Sequence, residues 1–166
     1  MKAIALVFAA CLISGCSLAA SLLPSKAPTP QVGAPTPAPT VDLKNLAKEY
    51  LIVAGDSNDA HAALRKQCPG TLTLKQQKTC WAKEAEIERT LLKAYTELQV
   101  PPELEADFAA LRQAVGAYEM LLRQAATSAK TSADVRSFTT KIQRGSDVIK
   151  NAANKVRTDL GLPLIK

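Results

Sequence analysis

Histidine is nearly missing from this chain, where His61 stands alone among 166 residues. One histidine excludes a two-histidine metal set, and no CxxCH segment is present to attach haem. No Glu-x-x-His pair of a di-iron bundle occurs, and no serine stands in a nucleophile elbow. Aromatic residues make up only 4% of the chain, so alanine-rich, closely packed helices with little cavity space are expected. No segment alternates with the period of two that a half-buried strand requires. The Asp56-Ser57-Asn58-Asp59 segment begins like a calcium loop, but Ala60-His61 supplies neither the next ligand nor the turn glycine. These shortages point away from an enzyme, and no metal or cofactor is expected.

What is present starts at the N-terminus. Lys2 is followed by an apolar run over residues 3–13, the layout of an export signal. A membrane-spanning helix needs about 20 apolar residues, and Ser14, Gly15 and Ser17 interrupt this run too early for that. The run ends in Leu12-Ile13-Ser14-Gly15-Cys16. These residues resemble the lipobox of bacterial lipoproteins, an aliphatic and two small residues before a cysteine. The resemblance implies cleavage of residues 1–15 and a diacylglyceryl group on the Cys16 sulfur, and it allows acylation of the new amino group. Each buried methylene contributes ~0.8 kcal/mol, and two chains suffice for stable anchoring. It further implies a lipid-anchored protein on the extracytoplasmic side of the cell membrane or outer membrane.

Cysteine usage fits export. Cys11 leaves with the signal and Cys16 is consumed by lipid, which leaves Cys68 and Cys80. An even pair in an oxidising compartment is most simply a disulfide. Residues 16–41 then carry six of the ten prolines and, among charged residues, only Lys26. Such a stretch cannot build a core and favours extended polyproline II, a spacer that lifts the C-terminal domain off the lipid.

From residue 42 to 166 the pattern becomes helical. Asp42 is a good N-cap for a helix with Leu43, Leu46, Tyr50, Val53, Ser57, Ala60 and Leu64 inward, ended by Pro69-Gly70. Thr73 and Gln76 match a capping box. The helix they open, to about Gln99, is expected to bury Cys80, Trp81, Ile87, Leu91, Ala94 and Leu98. After Pro101-Pro102, a third helix carries the cleanest stripe: Leu104, Phe108, Leu111, Val115, Tyr118, Leu122 and Ala125. Ser132 is read as the cap of a fourth, with Val135, Phe138, Ile142, Ser146, Ile149, Ala153, Val156 and Leu160 on one face, and Gly161 as its left-handed stop. Four helices of similar length with short connections predict an all-α, up-down-up-down four-helix bundle.

Charge is uneven along this domain. Residues 42–129 hold eleven Lys/Arg against twelve Asp/Glu, whereas residues 130–166 hold eight against three. Arg136, Lys141, Arg144 and Lys155 fall opposite the apolar stripe of the fourth helix, where a basic face suits anionic headgroups or wall polymers. Glu84, Glu86 and Glu88 read as surface charge pairing, and His61 as a partly exposed helix residue. Lys48-Glu49-Tyr50-Leu51 and Leu160-Gly161-Leu162-Pro163 give the domain a general resemblance to small helical lipoproteins of unassigned function, notably from actinobacteria. That resemblance implies no activity. The expected role is non-enzymatic: binding an envelope protein or anionic polymer, with no nucleic acid as partner. The alternative is a carrier holding a small apolar ligand between the helices.

Overall fold

A computed structural model of the chain describes residues 41–70 and 72–165. The signal at 1–15, Cys16 and residues 17–40 of the spacer lie outside the described residues. The four expected helices are there: α1 (Leu43–Gln67), α2 (Leu74–Glu97), α3 (Glu105–Ser128) and α4 (Ser132–Asp159). Among the described residues there is no strand, and no helix is long and apolar enough to cross a membrane.

Each helix end has a local cause. The Asp42 carboxylate accepts from the Lys44 N–H and so satisfies one of the orphan donors of α1. Thr73 and Gln76 form the capping box of α2. The cap of α4 lies one residue earlier than the sequence pattern suggested. Thr131, not Ser132, accepts from the Asp134 N–H, while the Asp134 carboxylate takes the Lys130 and Thr131 N–H groups. A carboxylate in a first helical turn also complements the helix dipole. Helix α3 begins later than Pro102, because Leu104 N–H and Glu105 N–H bond back to the Pro101 and Pro102 carbonyls in a tight lead-in turn. At the far end of α4, Gly161 adopts φ +66°. Its N–H bonds the Thr158 carbonyl, and the Leu162 N–H bonds the Arg157 carbonyl, which together make a Schellman cap.

The helices run antiparallel in chain order, with α1 against α2, α2 against α3 and α3 against α4. Lys78 near the start of α2 donates to the Thr127 and Ala129 carbonyls at the end of α3. Lys155, late in α4, pairs with Asp107, early in α3. The disulfide between Cys68 and Cys80, with Cα atoms 6.1 Å apart, ties the end of α1 to α2. Helices α1 and α4, by contrast, make few direct contacts with each other.

The core has two parts. One gathers Leu46, Tyr50, Tyr95, Phe108, Leu111, Val115, Ala153 and Val156 from all four helices. The other gathers Trp81, Ala85, Tyr118, Leu122, Ala125 and Ala129 from α2, α3 and the turn after α3, with Phe138 of α4 set edge-on to Trp81. The expected stripe of α3 is buried from Phe108 to Ala125. That of α2 is rotated: Trp81, Ala85, Glu88 and Tyr95 are buried, while Cys80, Ile87, Leu91, Ala94 and Leu98 are half-buried. A charged residue at the centre of the inward face hides that face from a hydrophobicity pattern.

Candidate functional site

The open seam between α1 and α4 leaves a cleft of about 470 Å³. Its walls include small residues, Ala54, Ser57 and Asn58 on α1 and Ser146 and Ala153 on α4, beside larger ones such as Tyr50 and Ile149. Ser57 and Ser146 sit on the inward stripes of their helices, where larger apolar side chains would close the bundle. The floor is supplied by α2 and α3 through Glu84, Glu88, Leu91, Tyr95 and Tyr118. The residues after α4 turn back along it, since the Asn154 side chain bonds both the N–H and the carbonyl of Ile165. Ile165 thereby reaches the cleft edge.

On the floor, Glu88 is only 4% exposed. The His61 Nε2 lies 2.9 Å from its Oε1. Its other oxygen, Oε2, is buried with no hydrogen-bond partner among the described residues. Four residues earlier and on the same face of α2, Glu84 accepts from the Tyr118 hydroxyl at 2.8 Å. The ring of Tyr118 is in turn held by the close passage of α4. A Cβ added at Gly145 would lie 2.7 Å from Tyr118 Cδ2. Beside them, Tyr50 and Tyr95 stack with ring centres 5.6 Å apart.

Ionisation follows from this burial. The hydrogen bond to Glu88 raises His61 above the ordinary imidazole range against the opposing effect of burial, with the charge of Glu84 adding and that of Arg65 subtracting. Burial lifts the Glu84 carboxyl, with the Tyr118 hydroxyl pulling the other way. Burial likewise raises the phenols of Tyr50, Tyr95 and Tyr118, so all three stay protonated at neutral pH.

Charge of the opposite sign rings the mouth. Arg65 is exposed and Lys150 and Arg157 are half-buried at the cleft edge. None of the three pairs with a carboxylate among the described residues. The cleft therefore has an acidic floor and a basic rim. Among the described residues no three His, Cys, Asp or Glu side chains gather closely enough to hold a metal ion. The His61 ring bonds Glu88, and among the described residues it bonds no hydroxyl.

The acidic trio of α2 thus divides, which corrects its reading as surface charge pairing. Glu86 alone behaves that way, bonding Arg89 and Arg123 on the outside, whereas Glu84 and Glu88 turn inward. His61 is half-buried and engaged across helices, which the sequence reading missed. The basic set on α4 is exposed throughout. Lys141 lies 5.4 Å from the Phe138 ring centre, and Lys155 is already paired with Asp107. Arg136 and Arg144 form no ion pair among the described residues. No protein-family model, curated protein or solved structure matches this chain.

Proposed function

We propose that this chain is a lipid-anchored, extracytoplasmic binding protein of the cell envelope, without enzymatic activity, and that it works by presenting the α1–α4 cleft to an envelope component. The anchor rests on the lipobox resemblance at Cys16, and the proline-rich spacer gives the domain reach. The binding role is carried by one observation: Glu88 lines the cleft, and its buried Oε2 has no hydrogen-bond partner among the described residues. An unmet buried acceptor costs roughly 1–3 kcal/mol, a cost that a ligand donor would offset. An apolar guest would leave that oxygen unmet, so the lining favours a polar ligand over an apolar cargo. The exposed basic face of α4, with Arg136, Lys141 and Arg144, is suited to hold the domain against an anionic surface while the cleft is used, and Lys155 reinforces α3.

The test is site-specific photocrosslinking in intact cells. A photoreactive residue at exposed Asn58, at the cleft mouth, is expected to give a discrete adduct. The same residue at exposed Gln113, on the outer side of α3, is expected to give none. Cys16→Ser should leave an unprocessed, unlipidated precursor and remove the Asn58 adduct. Equal adducts from both positions, or none from Asn58, would refute the binding role.

A further inference from the structure

We infer that the cleft takes a small amphoteric ligand, with a protonated amine seated against Glu88 and an anionic group held at the rim by Lys150, Arg157 or Arg65. This deepens the binding role proposed above and rests on it, but it is independent of the lipid anchor.

The two layers of charge select this class. The floor offers the unpartnered Oε2 of Glu88 and the carboxylate of Glu84, both acceptors when ionised, with His61 engaged at Glu88 Oε1. An ammonium carries three donors and no acceptor, so pairing it with the unpartnered oxygen creates no new unmet group. A wholly cationic ligand would have to pass and remain beside three cations at the rim. A wholly anionic one would face two carboxylates at the floor. An apolar one would leave Oε2 orphaned in a desolvated place, where such a loss is most costly. A molecule with both charges satisfies floor and rim together.

Reach and size agree. Tyr118, which bonds Glu84, meets α4 at Gly145, and Lys150 lies five residues further along α4, ~7.5 Å by helical rise. Glu88 lies one turn, ~6 Å, beyond Glu84 in the same direction, since α2 and α4 run parallel. Lys150 therefore stands near the height of Glu88 across the cleft, and the two charges of one small molecule can reach both. The volume of about 470 Å³ falls within the ordinary range for small-molecule sites. Such an amine–anion unit exists both as a free metabolite and as a zwitterionic lipid headgroup.

The experiment is calorimetric titration of the full chain in detergent with three ampholytes, glycine, γ-aminobutyrate and phosphoethanolamine, which set amine and anion at different separations. Ethanolamine and inorganic phosphate supply each charge alone. At least one ampholyte is expected to bind tenfold or more tightly than either single-charge probe. Glu88→Gln should weaken that binding at least tenfold, and Lys150→Gln should reduce it to the level of ethanolamine. Lys141→Gln, away from the cleft, should leave it unchanged. Competition by micelles doped with phosphatidylethanolamine would assign the source as a headgroup, and lack of competition would assign it as a free compound. If no ampholyte outbinds ethanolamine and phosphate, or if neither Glu88→Gln nor Lys150→Gln weakens binding, the ligand class is wrong. With the Asn58 adduct intact, that result overturns the ligand class alone. With the adduct also missing, the binding role falls too.

Discussion

Helix α3 buries Phe108, Leu111, Val115, Tyr118, Leu122 and Ala125 within 24 residues, whereas α4 buries only Ala153 and Val156 within 28. Between α2 and α3 the buried side chains are mainly apolar, with the Glu84–Tyr118 hydrogen bond at their edge. The α1–α4 seam is lined instead by a mixture of small, charged and apolar side chains over a floor that includes two carboxylates. Close packing is what gives a helix pair its stability, so the α2–α3 pair carries the fold and the α1–α4 seam is released for other work. Ligand sites tend to lie where the structure gives up stability. The two regions meet at Tyr118, whose ring belongs to the core and whose hydroxyl belongs to the cleft.

The sharpest contrast is expected from truncation. Phe108→Ala removes a fully buried ring and should cost about 3–5 kcal/mol in chemical denaturation. Ser146→Ala in the seam should change stability by less than about 0.5 kcal/mol. Comparable losses at the two positions would erase the distinction between a packed half and an open half. The disulfide comes next, because it secures an α1 that has little hold on α4. Replacing Cys68 and Cys80 together by serine should cost about 3 kcal/mol for the small loop closed. Protease nicking should then increase first in α1 and not in α3. Nicking that began in α3 would place the weak region elsewhere.

Gly145→Ala probes the joint between the two regions. The new methyl cannot fit 2.7 Å from the Tyr118 ring without displacing it. A loss of about 1–3 kcal/mol is expected from overpacking, together with loss of the tyrosine hydrogen bond to Glu84 in solution spectra. An unchanged melting temperature would mean that α4 does not pass so close to α3.

A smaller effect is expected from pH. The folded value of His61 is raised above the ordinary 6.5 by Glu88. Its contribution to stability is therefore complete below about pH 6.5 and is lost as pH rises through the raised folded value. Glu84, lifted from 4.5 by burial, acts with the same sign at lower pH. Its favourable protonated form is lost as pH rises through the folded value. Stability should therefore fall with rising pH across the range set by these two groups, and His61→Gln should flatten the upper part. A wild-type domain that grows more stable as pH rises from 6 to 8 would contradict the His61–Glu88 pairing.

The parts of this fold that were legible in the sequence are those governed by neighbours in the chain. Asp42, the Thr73–Gln76 box and Gly161 act through bonds two to five residues long, and each was readable. The stripe of α3 was readable because that helix buries apolar residues on one continuous face. The cap of α4 was misplaced by one residue because Thr131 and Ser132 are chemically equivalent candidates, and only the position of Asp134 decides between them. The face of α2 was misread because its centre holds Glu88, and a buried charge looks like a surface charge until its partner is known. That partner, His61, lies 27 residues away on another helix. No local spacing joins the two. One signal of the cleft was available in Ser57 and Ser146, polar residues on otherwise apolar stripes, but a single small polar residue on each helix did not show that they face one gap.

The central claim is that the polar groups of the seam are present for binding and not to hold the fold together. Replacing His61 by leucine and Glu88 by methionine tests it in one calorimetric measurement. A buried ion pair exchanged for apolar side chains of similar volume is commonly neutral or stabilising by about 1–4 kcal/mol. The double variant is therefore expected to melt cooperatively at or above the wild-type temperature. A clear fall in melting temperature would show that the pair is a structural element of the bundle, and would contradict the account.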